Sequence, residues 1–315
     1  MTSLLEIRDL TVVYPTPRGK LTAVAGVSFD VQEARTLSLI GESGSGKSSI
    51  ARAICGLYLP ASGEIRIGGR DIAREGRNQP AAAGASGIQI VFQDPVGALD
   101  PRWPVWRSIA EPRLARHPGS DHKREAVRLM ERVGLSASLA DRRPHRLSGG
   151  QRQRVTIARA LAAEPRLIIL DEAVSALDVS VRNEILTLLE DLRSERGLTY
   201  LFISHDMGAV AQMSKEVAVL YLGRLMEMGS AEQLIRRPSH PYTRALIAAV
   251  PTVAGRAAGE ETPAIGDIDD PAQPPPGCRF NRRCPFSIAR CREEVPAVRP
   301  YDGRLVACHR AEEIN

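Results

Sequence analysis

The sequence predicts an α/β fold, with short apolar strands alternating with helices, followed by a small cysteine-rich module. Three observations carry that expectation. The short apolar run Thr36–Ile40 ends in a glycine-rich loop, and the residues beyond it, Ser48–Leu57, have helical spacing. A second apolar run, Leu167–Leu170, ends in two adjacent carboxylates, Asp171 and Glu172. Four of the five cysteines, Cys278, Cys284, Cys291 and Cys308, fall within the last 38 residues.

Each element follows from its pattern. Leu4–Val13 and Ala23–Val31 alternate apolar and polar residues, as half-buried strands do. Strand-like runs recur at Glu64–Ile67, Ile88–Phe92 and Tyr200–Ile203. The stretch Ala73–Gly87 is rich in Gly, Ala, Pro and Arg without a period, and reads as a surface loop. Between Pro95 and Arg166 no strand pattern occurs, whereas Pro104–Arg116, His122–Val133 and Ser148–Ala163 have helical spacing. This is a helical insert between two strand-bearing regions, at about residues 95–163. Val179–Arg196 is an amphipathic helix, and Glu216–Met228 reads as a hairpin around Gly223. Thr252–Gly277 is rich in Pro, Gly and Ala, as linkers are. The expected organisation is thus a domain over 1–251, a linker over 252–277 and a cysteine module over 278–315. No internal repeat is present.

Composition bounds the answer further. At 315 residues, 43% hydrophobic and 25% charged, the chain falls in the globular range and outside the disordered and fibrous classes. No apolar run approaches the roughly 18–20 residues of a membrane-spanning helix. The amino terminus alternates and carries charge early, unlike a signal peptide. The chain is therefore expected in the cytosol, where any membrane role needs a partner. The net charge of +5 rests on 38 Arg and only four Lys, a compositional skew. Residues 278–315 hold eight Arg and five acidic residues, so +3 of the charge sits in the tail and +2 in the rest. This argues against a nucleic-acid partner for most of the chain.

The loop Gly41-Glu42-Ser43-Gly44-Ser45-Gly46-Lys47-Ser48, between a strand and a helix, is a Walker A sequence in its required context. Its glycines let successive backbone N–H groups turn onto a phosphate chain, and the helix N-terminus, with Ser49 in its first turn, adds partial positive charge. Lys47 can reach the β- and γ-phosphates and Ser48 can ligate Mg²⁺. A buried strand ending in Asp171 suits a carboxylate that organises Mg²⁺, and Glu172 can face an attacking water as general base.

Leu147-Ser148-Gly149-Gly150-Gln151, just before a helix and ahead of Asp171, resembles the signature sequence of ABC-type ATPases. The resemblance covers residues 4 to about 250 and implies a P-loop cassette with a mixed sheet core, an antiparallel β subdomain and a helical insert. Tyr14 stands where that family has its adenine-stacking aromatic, Gln93 at the Q-loop, Ser175–Asp178 at the D-loop and His205 at the switch histidine. It implies that Gln93 touches metal and water and that His205 holds the γ-phosphate. Ser148, Gly149, Gly150 and Gln151, with Asp178, would act on ATP held by an opposing cassette. Ala173-Val174 departs from the family's usual Pro-Thr and removes no functional group.

His240-Pro-Tyr-Thr-Arg-Ala-Leu and the cysteine tail resemble the oligopeptide/dipeptide importer ATPases, as does Gln93–Arg102. That subfamily implies a [4Fe–4S] cluster in some members. The spacing C-x5-C-x6-C-x16-C lacks the paired C-x2-C knuckles of zinc ribbons, and four thiolates on loose loops suit a cubane, with zinc or no metal as the alternatives. The small apolar content of the tail points the same way, toward a metal staple. Cys55 reads as an ordinary buried residue.

The expectation is therefore an ATP- and Mg²⁺-dependent transport ATPase that pairs with a second ATP-binding subunit, a copy or a paralogue. Its further partners would be two integral membrane permease subunits and, indirectly, an extracytoplasmic solute-binding protein, with the chain peripheral on the cytoplasmic face of the inner membrane. A nucleic-acid or ribosome-associated ABC ATPase is the alternative, against which the single cassette argues. A non-catalytic scaffold conflicts with Glu172 and His205. The expected cargo is a peptide or a related small solute, and the sequence does not exclude nickel, sugars or opines.

Overall fold

The computed structural model describes residues 2–17, 19–74, 87–114, 119–249 and 269–314. Most of the expected loop at 73–87, and residues 252–268 of the expected linker, lie outside the described residues.

Two sheets build the chain. β1 (Ser3–Thr16) pairs antiparallel with β2 (Gly19–Gln32) on one side and β4 (Ser62–Ile67) on the other, and β5 (Arg70–Asp71) closes the order β2-β1-β4-β5. In β1 the buried residues are Leu4, Leu5, Ile7, Leu10 and Val12, so from Leu5 onward the alternation changes parity midway. A register shift between Ile7 and Leu10, with Asp9 at φ 46°, places both halves on the same face.

The second sheet has the order β11-β12-β10-β9-β3-β8-β7-β6. Its centre is β3 (Thr36–Ile40), parallel to β8 (Thr199–Ile203) and β9 (Glu216–Tyr221). β7 (Leu167–Asp171) and β6 (Ile88–Val91) continue the parallel side. Every residue of β3 and β8 is buried, the property of strands covered on both faces. α1 (Lys47–Ile54) leaves the carboxyl end of β3, and Asp171 closes β7 at the same edge, where ligands of such sheets bind.

The insert is helical, and among the described residues no strand separates β6 from β7. It contains α2 (Val105–Leu114), α3 (His122–Arg132) and α4 (Gly149–Ala162). Arg154 of α4 donates to the Val133 carbonyl after α3 at 2.7 Å. α5 (Val179–Arg196) buries Ile185, Leu186, Leu189 and Leu192 and stops at Gly197 in the left-handed region, φ 63°. α6 (Met207–Met213), α7 (Ala231–Arg236) and α8 (Pro241–Ala248) are too short for a period to mark them in the sequence.

The tail corrects the expectation of a metal-held module. β12 (Arg304–Val306) pairs antiparallel with β10 (Arg224–Ser230), β11 (Arg299–Tyr301) pairs antiparallel with β12, and one short helix, α9 (Ala289–Glu293), precedes them, so the tail extends the main sheet. Phe280 is buried against Tyr221 and Tyr242, with ring centroids 5.5 and 5.3 Å away. The tail therefore shares the cassette's core and needs no staple of its own. Among the described residues no group of three or more His, Cys, Asp or Glu is disposed to hold a metal ion. This overturns the [4Fe–4S] cluster, and the zinc alternative, on Cys278, Cys284, Cys291 and Cys308. All four are free thiols lining a small, mostly apolar cavity with Phe280 and Phe286. Burial pushes Cys278 up to about 12 and Cys284 up to about 11, and raises Cys308. Cys278, Cys284 and Cys308 so placed stay protonated and pack as small apolar groups.

Candidate active site

The loop between β3 and α1 is shaped by close backbone approach. A Cβ on Gly41 (φ 151°) would lie 2.1 Å from the Leu220 carbonyl oxygen, and one on Gly46 (φ 102°) 2.5 Å from that of Ala23. Only glycine fits either position. The loop folds around the buried Lys47 ammonium, which donates to the carbonyls of Gly41 (2.7 Å) and Glu42 (2.9 Å) and to Ser45 Oγ (3.1 Å). Burial lowers the Lys47 pKa, opposed by the carboxylates of Glu172, Asp171 and Glu42. A desolvated cation at the start of α1, inside a ring of glycines, fits a phosphate chain.

Ser48 Oγ donates to Asp171 Oδ1 at 3.1 Å. Burial raises the Asp171 pKa, an effect the Ser48 hydrogen bond resists. A hydroxyl and a carboxylate so joined are a hard-oxygen donor pair of the kind Mg²⁺ takes. Glu172 has left-handed backbone, φ 50°, while its N–H still donates to the Ile203 carbonyl at 3.0 Å. That turn directs the chain out of β7 immediately after Asp171. Glu172 Oε1 lies 3.6 Å from His205 Nδ1, and Gln93 Nε2 lies 3.5 Å from Ser175 Oγ.

One cavity of about 590 Å³ is lined by Tyr14, Gly41, the run from Ser43 to Ser49, Gln93, Glu172 and His205. Tyr14 also packs on Tyr58, ring centroids 4.4 Å apart. Glu42 and Asp171 do not line the cavity; the first turns away and the second stands behind Ser48. Ser148, Gly149, Gly150, Gln151 and Asp178 also lie outside its lining. Ser148 caps α4 by accepting from Gln151 N–H at 3.2 Å, and Gln151 Oε1 accepts in return from Ser148 N–H at 3.0 Å. A Cβ on Gly150 would meet Val181 Cγ1 at 2.6 Å, so this glycine also lets α5 approach α4.

Several residues at the site were not visible in the sequence. Leu21 and Ala23 of β2 line the cavity, as does Pro271 from the expected linker. Arg283, in the tail, pairs with Glu42. None has a local signature, because each reaches the loop from a distant part of the chain.

A glycine loop around a buried lysine, a Ser–Asp pair and a Glu–His pair across one cavity define a P-loop ATPase of the ATP-binding cassette class. Comparison with known proteins agrees and narrows it. The ABC transporter family matches residues 24–175, and the oligopeptide/dipeptide transporter C-terminal region matches residues 226–291. The chain is 46% identical to a probable peptide ABC transporter ATP-binding protein of Sinorhizobium fredii, over 98% of this chain and 90% of the relative. It is 41% identical to the dipeptide transport ATP-binding protein DppF of Escherichia coli, over 98% and 95% respectively. Among solved structures it is similar to a dimeric ATP-binding cassette in a post-hydrolysis state bound to ADP and Pi, with TM-score 0.65 and 26% identity, over 72% of this chain and 98% of that one. The chain belongs to the oligopeptide/dipeptide family of ABC-transporter ATP-binding proteins.

Proposed function

We propose that the chain binds and hydrolyses MgATP to drive uptake of short peptides through a membrane importer. The observation that carries the chemistry is the cavity itself, onto which the phosphate loop, Gln93, Glu172 and His205 converge. Lys47 and the loop N–H groups hold the β- and γ-phosphates. Ser48, Asp171 and Gln93 would hold Mg²⁺, which screens the phosphate charge. Glu172 accepts the proton of the attacking water, and His205, 3.6 Å away, orients that water against the γ-phosphate.

The signature residues Ser148, Gly149, Gly150 and Gln151, with Asp178, act in trans on the nucleotide of a second cassette, a copy or a paralogue. Their position outside the cavity of their own chain supports this reading, as does the dimeric state named for the structurally similar cassette. The domain reading is a cassette over 1–251, a linker over 252–277 and a tail over 278–315 that packs on the cassette. No helix among the described residues is long and apolar enough to cross a membrane, and in this reading two separate permease subunits would carry translocation. The chain would work at the cytoplasmic face of the membrane, with peptides delivered by an extracytoplasmic binding protein. The peptide assignment rests on the relatives named above.

The test is reconstitution of the chain with its permease subunits in proteoliposomes. MgATP should drive uptake of labelled dipeptide, and the loaded binding protein should raise hydrolysis. ATP hydrolysis without peptide uptake or peptide stimulation would leave the ATPase and remove the peptide assignment.

A further inference from the structure

One tail side chain reaches the phosphate loop. Arg283 Nη1 donates to Glu42 Oε2 at 2.7 Å and Nη2 to Oε1 at 2.9 Å, a two-pronged pair that buries the guanidinium to 6% exposure. The same Nη1 donates to Tyr221 Oη at 2.9 Å, and the guanidinium lies 5.4 Å from the Tyr221 ring centroid and 5.6 Å from that of Phe280. Glu42 is held from two further directions. Its N–H donates to Tyr242 Oη at 2.9 Å, and its carbonyl accepts from Lys47 Nζ at 2.9 Å. Pro271 Cγ, just before the tail, stands 3.1 Å from where a Cβ on Gly44 would sit, so the chain covers the loop at a second point.

A carboxylate in the second position of an anion-binding loop opposes its own ligand. Here that charge is neutralised and turned aside. Of residues 41–49, Glu42 alone does not line the cavity. Arginine suits the task because its planar fork meets both carboxylate oxygens at once.

We propose that Arg283 is a positioning residue for the nucleotide: by clamping Glu42 it removes a negative charge from the phosphate site and holds the loop in its binding shape, so that tail docking and ATP binding are coupled. This rests on the reading of Gly41–Ser48 as the triphosphate loop. Coupling is reciprocal, so ATP should in turn tighten the tail.

The experiment compares the full-length parental chain with Lys47→Ala, Arg283→Ala and the double variant Arg283→Ala/Glu42→Gln, measuring KM and kcat for MgATP. Arg283→Ala should raise KM about tenfold, the effect of losing one hydrogen-bonded charge pair. kcat should change much less, because Glu172 and His205 are untouched. Adding Glu42→Gln should bring KM back toward the parental value, since it removes the charge that lost its partner. MgATP should also slow amide exchange over residues 278–291 in the parental chain and not in Arg283→Ala. Unchanged KM in Arg283→Ala overturns the proposal. So does a raised KM that Glu42→Gln fails to restore, because Arg283 then only supports the fold. A parental chain that binds no MgATP, or a Lys47→Ala variant that binds it normally, overturns the loop reading and this proposal with it.

Discussion

At the scale of single residues, the proposed roles would separate holding from cleaving. Lys47 sits inside the loop on three oxygen acceptors, while Glu172 projects from the end of β7 with left-handed backbone. Such a conformation costs a non-glycine residue about 1–3 kcal/mol and persists where the surroundings fix it. Here the N–H bond to Ile203 on β8 does so. Glu172→Gln keeps the size and the backbone but removes the base. MgATP affinity should stay within about twofold of the parental value while turnover falls by about 10²–10⁴, the range for a lost general base. A nucleotide-stabilised dimer should accumulate on gel filtration. Near-parental hydrolysis by this variant would show that another group takes the proton. Lys47, Glu172 and His205 stand out in the sequence as candidates because their motifs are short and local. Arg283 does not, because its partner Glu42 is 241 residues away.

At the scale of elements, α4 shows how one motif serves two ends. The Ser148–Gln151 capping box starts the helix and Gly150 admits Val181 of α5. Ser148→Ala should therefore cost about 1 kcal/mol of stability, the usual worth of a cap, measured by urea unfolding. Ser148→Arg should spare MgATP binding by the isolated chain, since Ser148 does not line its cavity, yet prevent the closed dimer. Loss of ATP binding by that monomer would place the serine in its own chain's site. Element types in the insert and the central strands were legible because their periods run over several turns or over wholly apolar strands. The parity change at Asp9 and the short helices α6 to α8 were not, because a bulge and a two-turn helix leave little pattern. α8 carries a pH consequence. His240 is fully buried, its Nδ1 accepts from Tyr242 N–H at 3.0 Å, and burial lowers its pKa from 6.5 to about 3. An imidazole that is neutral when folded and protonated when unfolded contributes stability above pH 6.5. That stability is lost as pH falls from 6.5 toward 3, by about 1.4 kcal/mol per unit. His240→Asn keeps an acceptor and removes the titration, so its urea midpoint should fall less than the parental one between pH 7 and 5. Parallel slopes would exclude His240 as the cause.

At the scale of the whole molecule, the tail is an extension of the cassette's sheet, and Glu227 on β10 is the point where three segments meet. Its carboxylate accepts from the N–H groups of Ser239 and His240, each at 2.9 Å, and lies 3.4 Å from Arg304 Nη1 on β12. Glu227 is 0% and Arg304 2% exposed in their side chains. No local pattern announces this, since a strand that joins a sheet edge from a distant segment has only its own few residues to mark it. Cysteine spacing drew the eye to a metal instead, and the tail's small apolar content looked insufficient because the aromatic surface of Tyr221 and Tyr242 that it packs on belongs to the cassette. Arg304 keeps Asp302 Oδ2 at 2.7 Å when Glu227 is removed, so the loss of this pair falls at the lower end of the about 3–5 kcal/mol for breaking a buried ion pair. Glu227→Ala also leaves two buried N–H groups without their acceptor, so the total should come to about 3–5 kcal/mol in urea unfolding. Because the pair ties β10 to both the start of α8 and β12, tail and cassette should unfold in one transition in the parental chain. Parental protein with a separate early transition in amide exchange over 299–306, or a Glu227→Ala variant within about 1 kcal/mol of it, would mean that the tail adds little to the stability of the cassette.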